Sequence, residues 1–512
     1  MITVIIFGGI QMSIKVTDNI EYAFTQDVLM IHVFEGDFTN QDNLPLKTLN
    51  KAMDDQIEQF LNNYPVATNY GEIHILHIVK TLQAKSVVLV GSGKRSEMTS
   101  DKLRNLSGKA IQATKKINPT SIGIYTNLNY NFEYDIAVQA LIEGVTLGAY
   151  QFDFYKSTKK NVPLEEIVLV ESDQTRVDAT KATVTKTMAI TESVCYCRDL
   201  VNHPSCTVTP TYIAHEAEKL AVYDNFTVEV MELETIKKLG MGAFLAVAKG
   251  SNEPPKFITI KYNGNKASDE SIAYVGKGIT FDSGGISLKP SASMGEMKDD
   301  MAGAATVLTT MQAIGQLQPK VNLLAVIPCC ENMPSGHATK PGDVVKSMSG
   351  ITIEIDNTDA EGRLILADAV HYATTLGATK IIDIATLTGA CVVALGHVAS
   401  GIVSNDTKLR DALLQAAKTA GEKMWQLPNY EEYKEQFKSD IADLKNTGGR
   451  MAGTITAAMF IESFIKGLPW VHIDIAGTAY LKSSYGYNVK GASGVATRTL
   501  IQLALDLENQ HE

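Results

Sequence analysis

Between Gly276 and Arg363 the chain sets lysines, aspartates and a glutamate into glycine-rich turns, a set of groups suited to binding two divalent cations for hydrolysis. The segments are GKGITFDSGGISLKPS at 276–291, KDDMAGAA at 298–305 and NTDAEGRL at 357–364. Asp359 and Glu361 are two residues apart, so an extended backbone would point both carboxylates the same way, about 6–7 Å apart. Two anions held that close invite a cation, although an acid at a helix start has the same look. Gly362 relaxes the backbone next to them, and Arg363 adds a permanently charged guanidinium.

Asp282 precedes Gly284 and Gly285, which permit positive φ and close approach to a ligand; a turn-capping aspartate would read the same way. Asp299 and Asp300 open the small-residue run MAGAATVLTTMQAI, where either acid could favour a helix N-terminus or bind metal. Lys277 could serve as a neutral amine ligand if desolvated beside cations. The set suits Mn, Zn, Mg or Co, and metal supply decides among them. No H-E-x-x-H occurs, and His203, His337, His371, His397 and His472 read as packed or hydrogen-bonding side chains. Ser283 lacks the G-x-S-x-G context of a nucleophile, so water is the better one.

These residues need a scaffold. A chain of 512 residues, 45% apolar, exceeds one ordinary core and predicts two domains. A formal charge of −11 argues against nucleic acid and anionic membrane as partners. The six cysteines form no zinc-finger pattern and read as free thiols. Residues 1–10 are apolar but lack the features of an export signal, so they read as a first strand and the cytoplasm is the expected location.

The first part alternates β-rich runs at 28–34, 72–79, 86–93 and 121–128 with helical runs near 45–61 and 98–115, and closes on 165–172. GSGKR at 91–95 reads as a strand-to-helix turn, since it matches neither phosphate-loop pattern. In the second part, strands are predicted at 226–232, 256–263, 271–278, 322–329, 351–357, 380–387 and 471–477. The fold class is α/β, with each domain a mostly parallel or mixed sheet flanked by helices and the N-terminal domain the smaller. The predicted boundaries are 1–174 for the first domain, 175–199 for a connecting helix and 200–512 for the second. Ligands in such sheets sit beyond the carboxyl ends of the strands. That rule expects 271–278, 351–357 and 380–387 to deliver Lys277, Asp359, Glu361 and Thr386 to one rim.

With these motifs, and with SLKPS and IATLTGA beside them, the chain from about 195 to 512 resembles the cytosolic leucyl aminopeptidases, the M17 peptidases; the N-terminal region resembles them more loosely. The resemblance implies a dimetal exopeptidase that removes leucine or other apolar N-terminal residues from peptides and amides, using a water shared by the two ions. It implies that Lys277, Asp282, Asp300 and Glu361 hold the tighter ion. Asp282, Asp359 (by side chain and backbone carbonyl) and Glu361 hold the exchangeable one. Lys289 would bind the scissile carbonyl oxygen, and Arg363 a bicarbonate ion acting as general base. Met297, Thr386, Leu387 and Gly389 would line the first side-chain pocket, with NTGGRMAG at 446–453 nearby.

The same resemblance implies a homohexamer whose sites face an interior cavity, peptides with a free N-terminus as substrates, and a role in peptide catabolism. Some bacterial relatives of that family also bind DNA, a role that the acidity of this chain disfavours.

Overall fold

The computed structural model describes residues 2–7, 10–37, 44–78, 82–126, 130–159 and 162–509. Parts of three predicted strands, at 1, 8–9, 79 and 127–128, lie outside the described residues. Two compact units form: Met1–Cys195 with Lys482–Lys490, and Tyr196–Leu481 with Gly491–Glu512. The helix Val177–Asn202 carries the chain from one unit into the other.

The smaller, first unit contains β1 (Ile2–Phe7), β2 (Ile10–Thr17), β3 (Val28–Val33), β4 (Ile73–His77), β5 (Ser86–Gly91), β6 (Ser121–Tyr125) and β7 (Glu166–Val170). Their order in the sheet is β1-β2-β7-β6-β3-β5-β4. The run from β2 to β5 is parallel, and antiparallel β1 and β4 close its edges. β3 and β5 are buried along their whole length, as continuous apolar runs in a two-faced sheet must be. After β5 the GSGKR segment forms a turn in which Gly93 takes φ +67, and Thr99 then caps the helix Ser100–Thr114.

In the second unit the strands include β8 (Phe226–Met231), β9 (Lys256–Asn263), β10 (Ile272–Gly276), β11 (Gly278–Asp282), β12 (Asn322–Asn332), β13 (Val344–Lys346), β14 (Thr352–Glu354), β15 (Lys380–Ala385), β16 (Ser400–Ser404), β17 (Met424–Gln426), β18 (Leu444–Lys445) and β19 (Trp470–Asp474). The main sheet runs β17-β16-β19-β15-β10-β12-β9-β8, with β11 continuing alongside β12. Its centre, β19-β15-β10-β12, is parallel. Alternate residues of β10 enter opposite cores. Ile272 and Tyr274 join the helix Ala302–Leu317, while Ala273 and Val275 join the helix Gly362–Thr375. This two-sided burial is what the period of two in a strand produces once both faces are covered.

One predicted strand sits elsewhere. The 351–357 run shortens to β14, which lies between β13 and β18 in a separate three-stranded sheet. Its sequence, Ile-Thr-Ile-Glu-Ile, buries only the isoleucines Ile353 and Ile355, and such alternation fits a strand covered on one face. Asp359 and Glu361 therefore reach the site from outside the main sheet.

Candidate active site

The site assembles where β10 ends. Between β10 and β11 the ladder breaks at Lys277, whose backbone N–H donates to Ile384 and whose carbonyl accepts from Ala304. Lys277 is thereby held between β15 and the start of the helix Ala302–Leu317. Its side chain is 3% exposed, and the ammonium lies 2.7 Å from Asp300 Oδ1 and 2.8 Å from Glu361 Oε1. It also donates to the carbonyl of Thr386 at 3.0 Å. Burial by itself would lower the lysine's pKa, but the charges of Asp300, Glu361 and Asp282 outweigh it and raise the group above its ordinary value.

Asp282 ends β11. Its Oδ1 accepts from the Gly284 N–H and from Asn332 Nδ2, each at 2.8 Å, and its Oδ2 lies 2.8 Å from Lys289 Nζ. The turn that brings Lys289 back onto Asp282 needs Gly284 at φ +87 and Gly285 at φ +66. A Cβ on Gly284 would also come within 2.7 Å of Asp359 Oδ1. Lys289 reaches Asp359 Oδ1 at 2.7 Å, so one ammonium spans two carboxylates. Burial opposes its charge, yet Asp282 and Glu361 raise its pKa.

Asp359 and Glu361 do not share an extended segment. Thr358 and Asp359 form a turn and Glu361 sits in αR conformation at the cap of the helix Gly362–Thr375, so the bend, not a strand repeat, brings the carboxylates together. Asn446 clamps this turn, its side chain accepting from the N–H groups of Asp356 and Asn357 and donating to the carbonyl of Asn357. Gly362 is helical, and its lack of a side chain provides space. A Cβ there would lie 2.6 Å from Lys277 Cε and 2.7 Å from its Nζ.

One oxygen from each of Asp282, Asp359 and Glu361 lies within 4.8 Å of the others. Asp300 adds a fourth carboxylate, its Oδ1 accepting from Lys277 and from the Thr386 hydroxyl at 2.7 Å. Burial first, and then the neighbouring acids, raises the pKa of Asp282, whereas Lys289 and Lys277 lower it. Burial likewise raises Asp300 and Asp359. Four carboxylates thus face two ammonium groups, and Asp300 Oδ2 and Glu361 Oε2 are buried without a hydrogen-bond partner. Surplus negative charge and orphaned oxygens in so small a volume fit divalent cations.

Arg363, in the first turn of the same helix, buries its Nε without a partner. Burial lowers its pKa to about 10, against the pull of Glu361 and Asp474. Thr386 touches the cluster directly. Leu387 lies in the turn that follows it and Gly389 opens the helix Gly389–Leu395, and Met297 is half-buried in the 3-10 helix Met294–Asp299 just before Asp300. Ser283 donates its hydroxyl to the Asn332 carbonyl at 2.7 Å, which occupies it structurally. His472 and His397 are likewise engaged, with Asp383 and with the Gly477 carbonyl. Asn332 carries no sequence signal of its role, whereas Asn446 opens the NTGGRMAG segment expected near the site, and its clamp on the 356–357 backbone shows how that segment reaches it.

The catalytic-domain profile of the cytosol aminopeptidase family matches residues 195–501, and the N-terminal-domain profile of the same family matches 30–159. A probable cytosol aminopeptidase of Alkaliphilus oremlandii is 46% identical over 490 residues, covering 94% of this chain and 97% of its own. One from Geobacter sulfurreducens is 42% identical, covering 90% and 93%. Among solved structures, a mutant tomato leucine aminopeptidase superimposes with a TM-score of 0.85 at 31% identity, covering 97% of both chains. The bottromycin maturation enzyme BotP in complex with Mn gives 0.83 at 31%, covering 94% of this chain and 100% of its own.

Proposed function

The chain belongs to the cytosol aminopeptidase family, whose chemistry is metal-dependent hydrolysis at peptide N-termini, and from that premise we propose how its own residues carry the reaction. The supporting observation is the cluster of Asp282, Asp359 and Glu361 oxygens within 4.8 Å, with the buried, unpartnered Asp300 Oδ2 and Glu361 Oε2 beside it. Lys277, as the neutral amine once a cation displaces its proton, would hold the tighter ion with Asp282, Asp300 and Glu361, and Asp282, Asp359 and Glu361 would hold the more exchangeable one. Two divalent ions held there, Mn or Zn in the first instance, would supply Lewis acidity toward the scissile carbonyl and a water nucleophile and a binding point for the substrate's free α-amine.

Lys289 donates a hydrogen bond to the scissile carbonyl oxygen and holds the negative charge that develops there. Arg363, with an unpartnered buried N–H, holds a bicarbonate ion as general base; its planar guanidinium matches that anion. Met297, Thr386, Leu387 and Gly389 form the first side-chain pocket. Apolar pockets discriminate by only about 1–3 kcal/mol per methylene, so leucine and methionine lead a broad range. The enzyme works on small peptides as a cytoplasmic homohexamer, with residues 200–512 as the catalytic domain, following in sequence the 1–174 domain and the 175–199 connection. Among the described residues no helix is long and apolar enough to cross a membrane.

The test is hydrolysis of leucine amide by metal-stripped protein titrated with Mn or Zn. Activity that returns with metal, and fails on N-acetyl leucine amide, is the expected result. Inactivity with both metals in folded protein overturns the reading.

A further inference from the structure

The turn after β15 is fastened at both ends, and we propose that Asp474, acting through Thr388, is the positioning residue that shapes the substrate's first side-chain pocket. This rests on the aminopeptidase reading above. β15 and β19 run parallel with Ala385 opposite Asp474, so the two strands end side by side. Asp474 is fully buried and spends both oxygens on the gap between them. Its Oδ1 accepts from the N–H of Leu387 at 3.3 Å and of Ala476 at 3.1 Å, and its Oδ2 accepts from the Thr388 hydroxyl at 2.6 Å.

Thr388 passes the restraint on. Its Oγ1 accepts from the Cys391 N–H at 3.0 Å, capping the short helix Gly389–Leu395, and lies 2.9 Å from the Thr454 hydroxyl at the start of the helix Gly453–Glu462. The other end of the turn is anchored in the carboxylate cluster, because the Thr386 hydroxyl donates to Asp300 and its carbonyl accepts from Lys277. Leu387 and Gly389 are therefore suspended between the reacting centre and Asp474. Hydrogen bonds to a buried carboxylate are stronger and more directional than neutral ones, which suits a fixed pocket wall. The same carboxylate acts electrostatically on Arg363.

The experiment compares the full-length, metal-loaded wild type with Asp474→Asn, Thr388→Val and Thr388→Ser. It measures metal content, thermal midpoint, amide exchange over 386–391, and kinetics on leucine, methionine and alanine amides. In Asp474→Asn and Thr388→Val, metal content stays at the wild-type level and exchange over 386–391 accelerates. Their KM for leucine amide rises and the preference for leucine over alanine falls, each about tenfold, with a smaller change in kcat, since a displaced pocket wall costs binding geometry before chemistry. Thr388→Ser restores wild-type values. Unchanged exchange and specificity in Thr388→Val overturns the proposal, as does a fall in kcat alone; should Asp474→Asn not fold, the Thr388 pair decides. A wild type inactive on all three amides would instead defeat the aminopeptidase reading.

Discussion

Two buried ionic clusters, one in each unit, show how differently a protein can handle charge away from water. In the first unit, Arg104 and Glu143 are buried and pair through Arg104 Nε and Glu143 Oε2, while Gln139 donates to Glu143 Oε1 at 2.8 Å. Each buried charge has its counter-charge and both carboxylate oxygens are served, while Arg104 Nη1 also reaches the partly exposed Asp101 at 3.4 Å. In the second unit two lysines face four carboxylates, and two buried oxygens go without partners. Desolvated charge is expensive, so a balanced pair is compatible with a purely structural role, whereas an unbalanced set signals a charge to be supplied by ligands.

The comparison breaks most visibly at Glu361. Glu361→Ala removes an oxygen ligand shared by both proposed ions and should abolish leucine amide hydrolysis, a loss of at least about 10³-fold, in folded protein. Near-normal turnover with full metal content would sink the assignment. Glu143→Gln and Glu361→Gln sharpen the contrast. The first strands the Arg104 charge and should cost about 3–5 kcal/mol in urea unfolding, while the second relieves surplus negative charge and should raise the thermal midpoint of metal-free protein. If both variants lost stability alike, the distinction between the clusters would fail.

Gly362→Ala comes next in size. A Cβ pressed 2.6 Å from Lys277 Cε should cost about 1–3 kcal/mol and reduce metal affinity, as calorimetric titration with Mn would report. The smallest effect concerns pH in the first unit. Burial lowers the pKa of His32 from 6.5 to about 3. The unfolded chain therefore binds the proton first, and stability is lost as pH falls below about 6.5, by at most about 1.4 kcal/mol per pH unit down to the folded pKa. His32→Gln should flatten that acid slope in urea titrations; an unchanged slope would assign it to other groups.

Much of this was legible beforehand. The near-continuous apolar runs read at 28–34, 271–278, 322–329 and 380–387 contain the central strands Val28–Val33, Ile272–Gly276, Asn322–Asn332 and Lys380–Ala385, because a sheet covered on both faces buries nearly every side chain of such a run. The glycines at 284–285 take the positive φ their turn demands. Less legible were β14, whose short alternating sequence leaves the main sheet, and Gly362, whose importance is the passage of Lys277, a neighbour 85 positions away in sequence. Asn332 and Asp474 carry no local signal, since an isolated asparagine or aspartate is usually a turn residue or solvated.

The chain's order of residues determined the α/β class, the acidic turns and the family, because hydrophobic period, turn chemistry and motif spacing are local properties of a sequence. Which side chain balances which charge was decided by the tertiary structure. Lys277 meets Glu361, Lys289 bridges Asp282 and Asp359, and Asp474 holds Thr388 only because strand ends and turns far apart in the chain exit at one rim. Electrostatic and hydrogen-bond energies depend on separations of a few ångströms, a scale that only folding sets.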